Sequence, residues 1–186
     1  MSDIGRGDHE TSADQLGRLR ARLRSTPSNA SDSASGPDST RSPGRESAHQ
    51  QVLAVLDGMD ADYTVEGGDV YGRWEQGIFQ FSDLGERDAE PVLQVHGTWE
   101  LVLPEDAYPQ AALFCNEWNA VNAWPKAYAQ IEEVEHVVGI FGETTVDLTA
   151  APTAEQVELV VSQGIGTALL LFDAAAEAFP DARAIE

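Results

Sequence analysis

The stretch Phe114-Cys115-Asn116-Glu117-Trp118-Asn119-Ala120-Val121-Asn122-Ala123-Trp124-Pro125-Lys126-Ala127-Tyr128 decides the fold. Just upstream, Pro104 ends a strand, Asp106 is placed to cap a helix, and Pro109 is tolerated in a first turn because its missing N–H would be unpaired there. Ala107, Ala111, Phe114, Trp118 and Val121 are expected on one helical face, with the two large rings fixing it to a sheet. Beyond Pro125 the period changes. Ala127, Ala129 and Ile131 alternate with Lys126, Tyr128 and Gln130, so the stretch turns a helix into a strand.

Downstream, Glu132-Glu133 closes that strand and Glu135-His136 begins the return. Val138, Ile140, Gly142, Thr144, Val146 and Leu148 alternate again, which predicts a hairpin. The carboxylates and histidine at its turn are expected to be solvated. Pro152, Thr153 and Gln156 announce a capped helix, with Val157, Val161, Ile165, Ala168, Phe172, Ala176 and Phe179 at steps of three or four and Phe179-Pro180 as the stop. Gly164 and Gly166 weaken that helix unless another backbone packs closely there.

Upstream, Ser47 and Gln50 have the spacing of a capping box, ahead of a helix bearing Val52, Val55, Leu56 and Met59. Runs at Tyr63–Glu66, Val70–Trp74 and Ile78–Phe81, separated by Gly67-Gly68-Asp69 and Gln76-Gly77, predict antiparallel hairpins. Gly67 and Gly68 are not a phosphate loop, since no Gly-Lys-Ser/Thr and helix follow. Residues 83–90 are expected to be an acidic loop. Leu93, Val95, Gly97, Trp99, Leu101 and Leu103 then mark the buried side of one long strand, which places His96 on the wet side as a solvated residue.

The expected class is α+β: an antiparallel sheet of about five strands with helices on one face, in the order α-β-β-β-α-β-β-α. Trp74, Phe79, Phe81, Phe141 and Tyr128 cannot all be assigned to the covered face by alternation. A partly apolar outer sheet surface is therefore expected, able to bind a partner or a second copy.

Charge is unevenly placed along the 186 residues, whose formal net is -21. Residues 1–45 hold seven arginines and six carboxylates, leaving four cations against 26 carboxylates for the rest. So acidic a domain repels phosphate backbones and anionic lipid, which argues against nucleic acid and membrane as partners. The acidity serves either solubility or a basic partner. Residues 1–45, rich in Ser, Asp, Gly, Pro and Arg, are expected to be a disordered tail. Within it Leu16, Leu19 and Leu23, among Arg18, Arg20, Arg22 and Arg24, would form a short basic helix if something bound it, the acidic domain being one candidate. Residues 46–180 form the folded domain and 181–186 a C-terminal tail.

The single cysteine, Cys115, excludes an internal disulfide and a multi-cysteine metal site. Without a histidine within a turn, it is expected to be an inert core thiol. No apolar run approaches the roughly 18 to 20 residues of a membrane span, and no secretion signal is present at the N-terminus, so the expected address is cytoplasmic. Asn116, Asn119 and Asn122 read either as an amide ladder for a ligand or as hydrogen-bonding partners of chain ends, with Asn122 suited to a left-handed helix closure. The absence of a neighbouring acid, base or metal favours the structural reading.

The run Asn116-Glu117-Trp118-Asn119, then Trp124-Pro125, a strand, an acidic turn and Val146-Asp147-Leu148 before a Thr-capped helix resembles the YbjN family over residues 46–180. That resemblance implies a bacterial sensory transduction regulator with a fold similar to the dimeric chaperones of type III secretion. It leaves Asn116, Trp118, Asn119, Trp124 and Pro125 as a candidate structural or binding motif. The expected role is a non-enzymatic protein-binding module, a chaperone-like adaptor or regulator, homodimeric and without cofactor. The alternative is a small-ligand sensor or enzyme using Asn116, Asn119, Cys115 and Trp118.

Overall fold

The structure, a computed structural model, describes residues 48–74, 76–84, 92–150 and 152–184. The expected tail with its basic segment, the cap at Ser47 and most of the acidic loop lie outside the described residues.

Helix α1 (Ala48–Gly58) is followed by β1 (Tyr63–Glu66), β2 (Asp69–Trp74), β3 (Gly77–Asp83), β4 (Val92–Trp99) and β5 (Leu101–Pro104). A short 3-10 turn (Glu105–Ala107) leads into α2 (Tyr108–Val121), then β6 (Lys126–Glu132), β7 (Val137–Asp147), α3 (Ala154–Ala178) and β8 (Arg183–Ala184). The class is α+β, as the periodicities required. Among the described residues there are eight strands where about five were expected. Part of the difference is the long strand, which breaks at Glu100, whose N–H turns aside to the carbonyl of Gln76. Another part is β8, whose Arg183 and Ala184 pair with Val102 and Leu101 of β5.

All pairings are antiparallel, and β7 is the hub. Its C-terminal half pairs with β4, from Thr98↔Phe141 to Val92↔Asp147, and its first residues pair with β5 through Leu103↔Val138. β6 covers the opposite edge, from Lys126↔Glu143 to Glu132↔Val137. At the far side, Gly67 and Gly68 close the β1–β2 hairpin with φ of 64° and 98°, a left-handed conformation in which a Cβ is strained.

One hydrophobic core joins the sheet to the helices. Val52 and Leu56 enter from α1, Ala111 and Cys115 from α2, and Val157, Val161, Ala168, Leu171 and Phe172 from α3. The aromatic residues divide by face. Trp74 lies edge-on to Phe79 and Phe81 on the helix side, and Phe79 meets Phe172 of α3. Phe141 and Tyr128 occupy the other face, stacked on each other at 5.2 Å.

α3 begins as the sequence indicates, with Thr153 Oγ1 accepting from the Gln156 N–H and the Gln156 side chain accepting from the Thr153 N–H. Contrary to the expectation that no segment approaches a membrane span, this 25-residue helix is long and apolar enough to cross one by length and composition. Its apolar stripe is instead spent on the core, with Val157, Val161, Leu171 and Phe172 fully buried. Gly164 is part of that packing, because a Cβ there would stand 2.9 Å from Val95.

Candidate functional site

The nominated motif joins α2 to β6. Asn119, in the last turn of α2, donates from Nδ2 to the carbonyl of Ala127 at 2.8 Å and accepts the Ala127 N–H on Oδ1 at 2.8 Å. A peptide group in a neighbouring strand would make the same pair of bonds. Asn119 thus covers the first outward-facing position of β6 and spends its amide there. Asn122 donates to the Trp118 carbonyl, but its backbone is extended (φ -115°, ψ 135°). The expected left-handed closure is therefore absent: Asn122 is already extended, and bends at residues 123–125 lead into β6.

Pro125, after a cis bond from Trp124, is buried, and its Cγ would be 2.9 Å from a Cβ on Gly142. Trp118 packs against the core with its indole N–H buried and unpartnered among the described residues. Asn116 and Trp124 are exposed. Val121 is corrected from a buried to an 83% exposed position. It is the last residue of α2, with Asn122 beyond it already extended. Cys115 is buried, and that burial pushes its thiol up to about 11. It is an unactivated thiol at neutral pH.

On the sheet face away from α1 and α3, the expectation for His96 fails. Its side of β4 is closed, not wet, and His96 is only 6% exposed. The ring stacks on Phe141 at 5.5 Å between centroids, and Nε2 lies 2.9 Å from Tyr128 Oη. Burial drives its pKa down to about 4, overcoming the opposing pull of Glu143, so the imidazole is neutral at physiological pH. Burial likewise raises Tyr128. Lys126 reaches Glu143 at 2.9 Å at the edge of the cluster. Thr98, on the same strand face, has a buried hydroxyl without a partner among the described residues. The signal for this cluster lies in cross-strand register, which brings His96, Phe141 and Tyr128 together; alternation within one strand reports a side, not its cover.

The expected apolar outer sheet is corrected too. Its aromatics are half-buried against one another, and the large exposed apolar side chains lie mainly elsewhere. They include Leu113, Val121 and Trp124 at α2 and the turn after it, and Leu159 and Leu170 on α3. Burial holds Cys115, His96 and Tyr128 in their neutral forms, whereas these surfaces are apolar and open. The geometry suits binding better than acid–base chemistry.

Comparison with known proteins gives a family and a fold. The family model of YbjN, described as a putative bacterial sensory transduction regulator, matches residues 49–177. Among solved structures, the chain is similar to YbjN of E. coli, described as a putative transcription regulator, at 11% identity and a TM-score of 0.57, covering 72% of this chain and 94% of that one. A chaperone–effector complex, HopA1–SchA, is similar at 12% identity and a TM-score of 0.44, covering 68% of this chain and 94% of the matched chain. No curated protein sequence matches.

Proposed function

The chain belongs to the YbjN family, and on that premise we propose that it is a non-enzymatic protein-binding module, a chaperone-like adaptor or regulator. The observation that carries this reading is the placement of exposed apolar side chains. Leu113 and Val121 on α2, Trp124 after it, and Leu159 and Leu170 on α3 face solvent while most of the sheet and the inner helix faces bury their own. Exposed apolar side chains of this kind, gathered on a surface, favour the binding of another chain. The ligand-sensor reading loses support because the Asn119 amide is already occupied by Ala127 and Cys115 is buried.

The same proposal includes homodimerisation and residence in the cytoplasm. Its test is suppression of aggregation of a heat-denatured client by the full chain, compared with a Leu113→Asp, Val121→Asp, Trp124→Ser variant and a Leu159→Asp, Leu170→Asp variant. Loss of suppression in either variant, with its melting temperature kept, is expected. Equal suppression by wild type and both variants, or none by any, would overturn the reading. Light scattering across protein concentration tests the dimer.

A further inference from the structure

The outward face of α3 combines three observations. Glu155, Leu159, Ser162, Gly166, Leu170, Asp173 and Glu177 are all exposed and recur at steps of four and three, so they fall within roughly 80° of arc opposite the buried stripe. Leu159 and Leu170 are 64% and 60% exposed. Gly166, between them, has nothing within 4 Å of where a Cβ would stand, so the described fold does not require glycine there. A glycine inside a helix costs stability, yet it lets a second backbone come close.

Charge selects the occupant. α3 contains neither lysine nor arginine, and its outward stripe carries Glu155 at one end and Asp173 and Glu177 at the other. The latter two stand at the negative end of the helix dipole, where cations are favoured and carboxylates are not. A second copy of α3 packed antiparallel on this face would set Glu155 against Asp173 and Glu177 of the other copy. The like charges oppose that pairing.

We propose that this face docks a basic amphipathic helix of a partner protein, with apolar residues three and four apart seated over Gly166 between Leu159 and Leu170. Arginines or lysines flanking that stripe meet Glu155, Asp173 and Glu177. The inference rests on the protein-binding reading and names the chemistry of the bound segment.

The test uses the full chain and a labelled synthetic helix of leucines at positions i, i+3, i+4 and i+7 flanked by arginines, followed by fluorescence anisotropy. A peptide with glutamate in place of every arginine is the control. Binding of the basic peptide that weakens with added salt is expected, with none of the acidic one. Leu170→Asp should weaken it by about tenfold or more, the scale of one buried leucine. Gly166→Leu should weaken it similarly while leaving the melting temperature unchanged or raised, which separates docking from folding.

Equal binding of both peptides, no binding of the basic peptide, or unchanged affinity in both variants would overturn the inference. So would a dimer that Leu170→Asp converts to monomer, which assigns the face to a second copy, or vesicle binding lost in the same variant, which assigns it to lipid. If the Leu113, Val121 and Trp124 variant alone loses client protection while α3 substitutions change nothing, the proposed function stands and this inference falls.

Discussion

The side-chain amide of Asn119 makes both hydrogen bonds that a strand neighbour would make to Ala127, one donated and one accepted, each 2.8 Å long. A helix residue thereby serves as the first link of a sheet edge and fixes the direction in which β6 leaves α2. Asn119→Ala removes both bonds, each of net worth about 0.5–1.5 kcal/mol, and should destabilise the domain by about 1–3 kcal/mol in urea unfolding. Asn119→Asp should not restore it, because a carboxylate cannot donate to the Ala127 carbonyl. Faster exchange of the Ala127 amide hydrogen would accompany either change; native-like stability of Asn119→Ala would contradict the account.

The two glycines of α3 should respond with opposite sign. Gly164→Ala forces a Cβ to within 2.9 Å of Val95 and should lower stability by about 1–3 kcal/mol. Gly166→Ala enters open space and should raise it by up to about 1 kcal/mol. Thermal melts of the two single variants decide the matter.

Acid should weaken the fold through His96. The imidazole titrates at about 4 in the folded chain against 6.5 for the ordinary side chain, with burial as the main cause. Between those values the unfolded chain binds more protons, so the stability contribution is complete above pH 6.5 and lost as pH falls toward 4, by up to about 3 kcal/mol. His96→Gln should reduce the difference between unfolding free energies at pH 7.5 and 4.5. An unchanged difference would show that the acid sensitivity comes from the carboxylates alone.

Cys115 should resist an aromatic disulfide reagent at pH 8 in the folded state, since it is buried and its thiol is held near 11. Reaction in step with urea unfolding is the expected result. Rapid modification of the native protein would contradict it.

The elements that could be read from sequence are those in which local pattern and packing agree. Thr153 with Gln156, the alternation through Ala127–Ile131 and Val138–Thr144, and the stripe of α3 each specify their element without help from distant residues. His96 could not be read this way. Period two places it opposite Val95 and Gly97, but its burial depends on Phe141 and Tyr128 from strands more than 30 residues away. Val121 failed because periodicity does not report where a helix ends: it is the last residue of α2, with Asn122 already extended. For the candidate site, the stretch from Asn116 to Pro125 announced a junction, yet the sequence did not reveal that Asn119 would replace a strand. Nor did it distinguish Gly164 from Gly166, since the difference lies in what faces each one.

The position of β7 at the hub has a consequence for the order in which the protein is made. β4 ends at Trp99, but the strand that completes it runs from Val137 to Asp147, and α3 follows later still. On a ribosome adding about 5–20 residues per second, the first hairpins wait several seconds with one edge open and their apolar face uncovered. The chain is thus most exposed to wrong pairing before its last third emerges, and a nascent-chain factor that binds open strand edges would act on it in that interval.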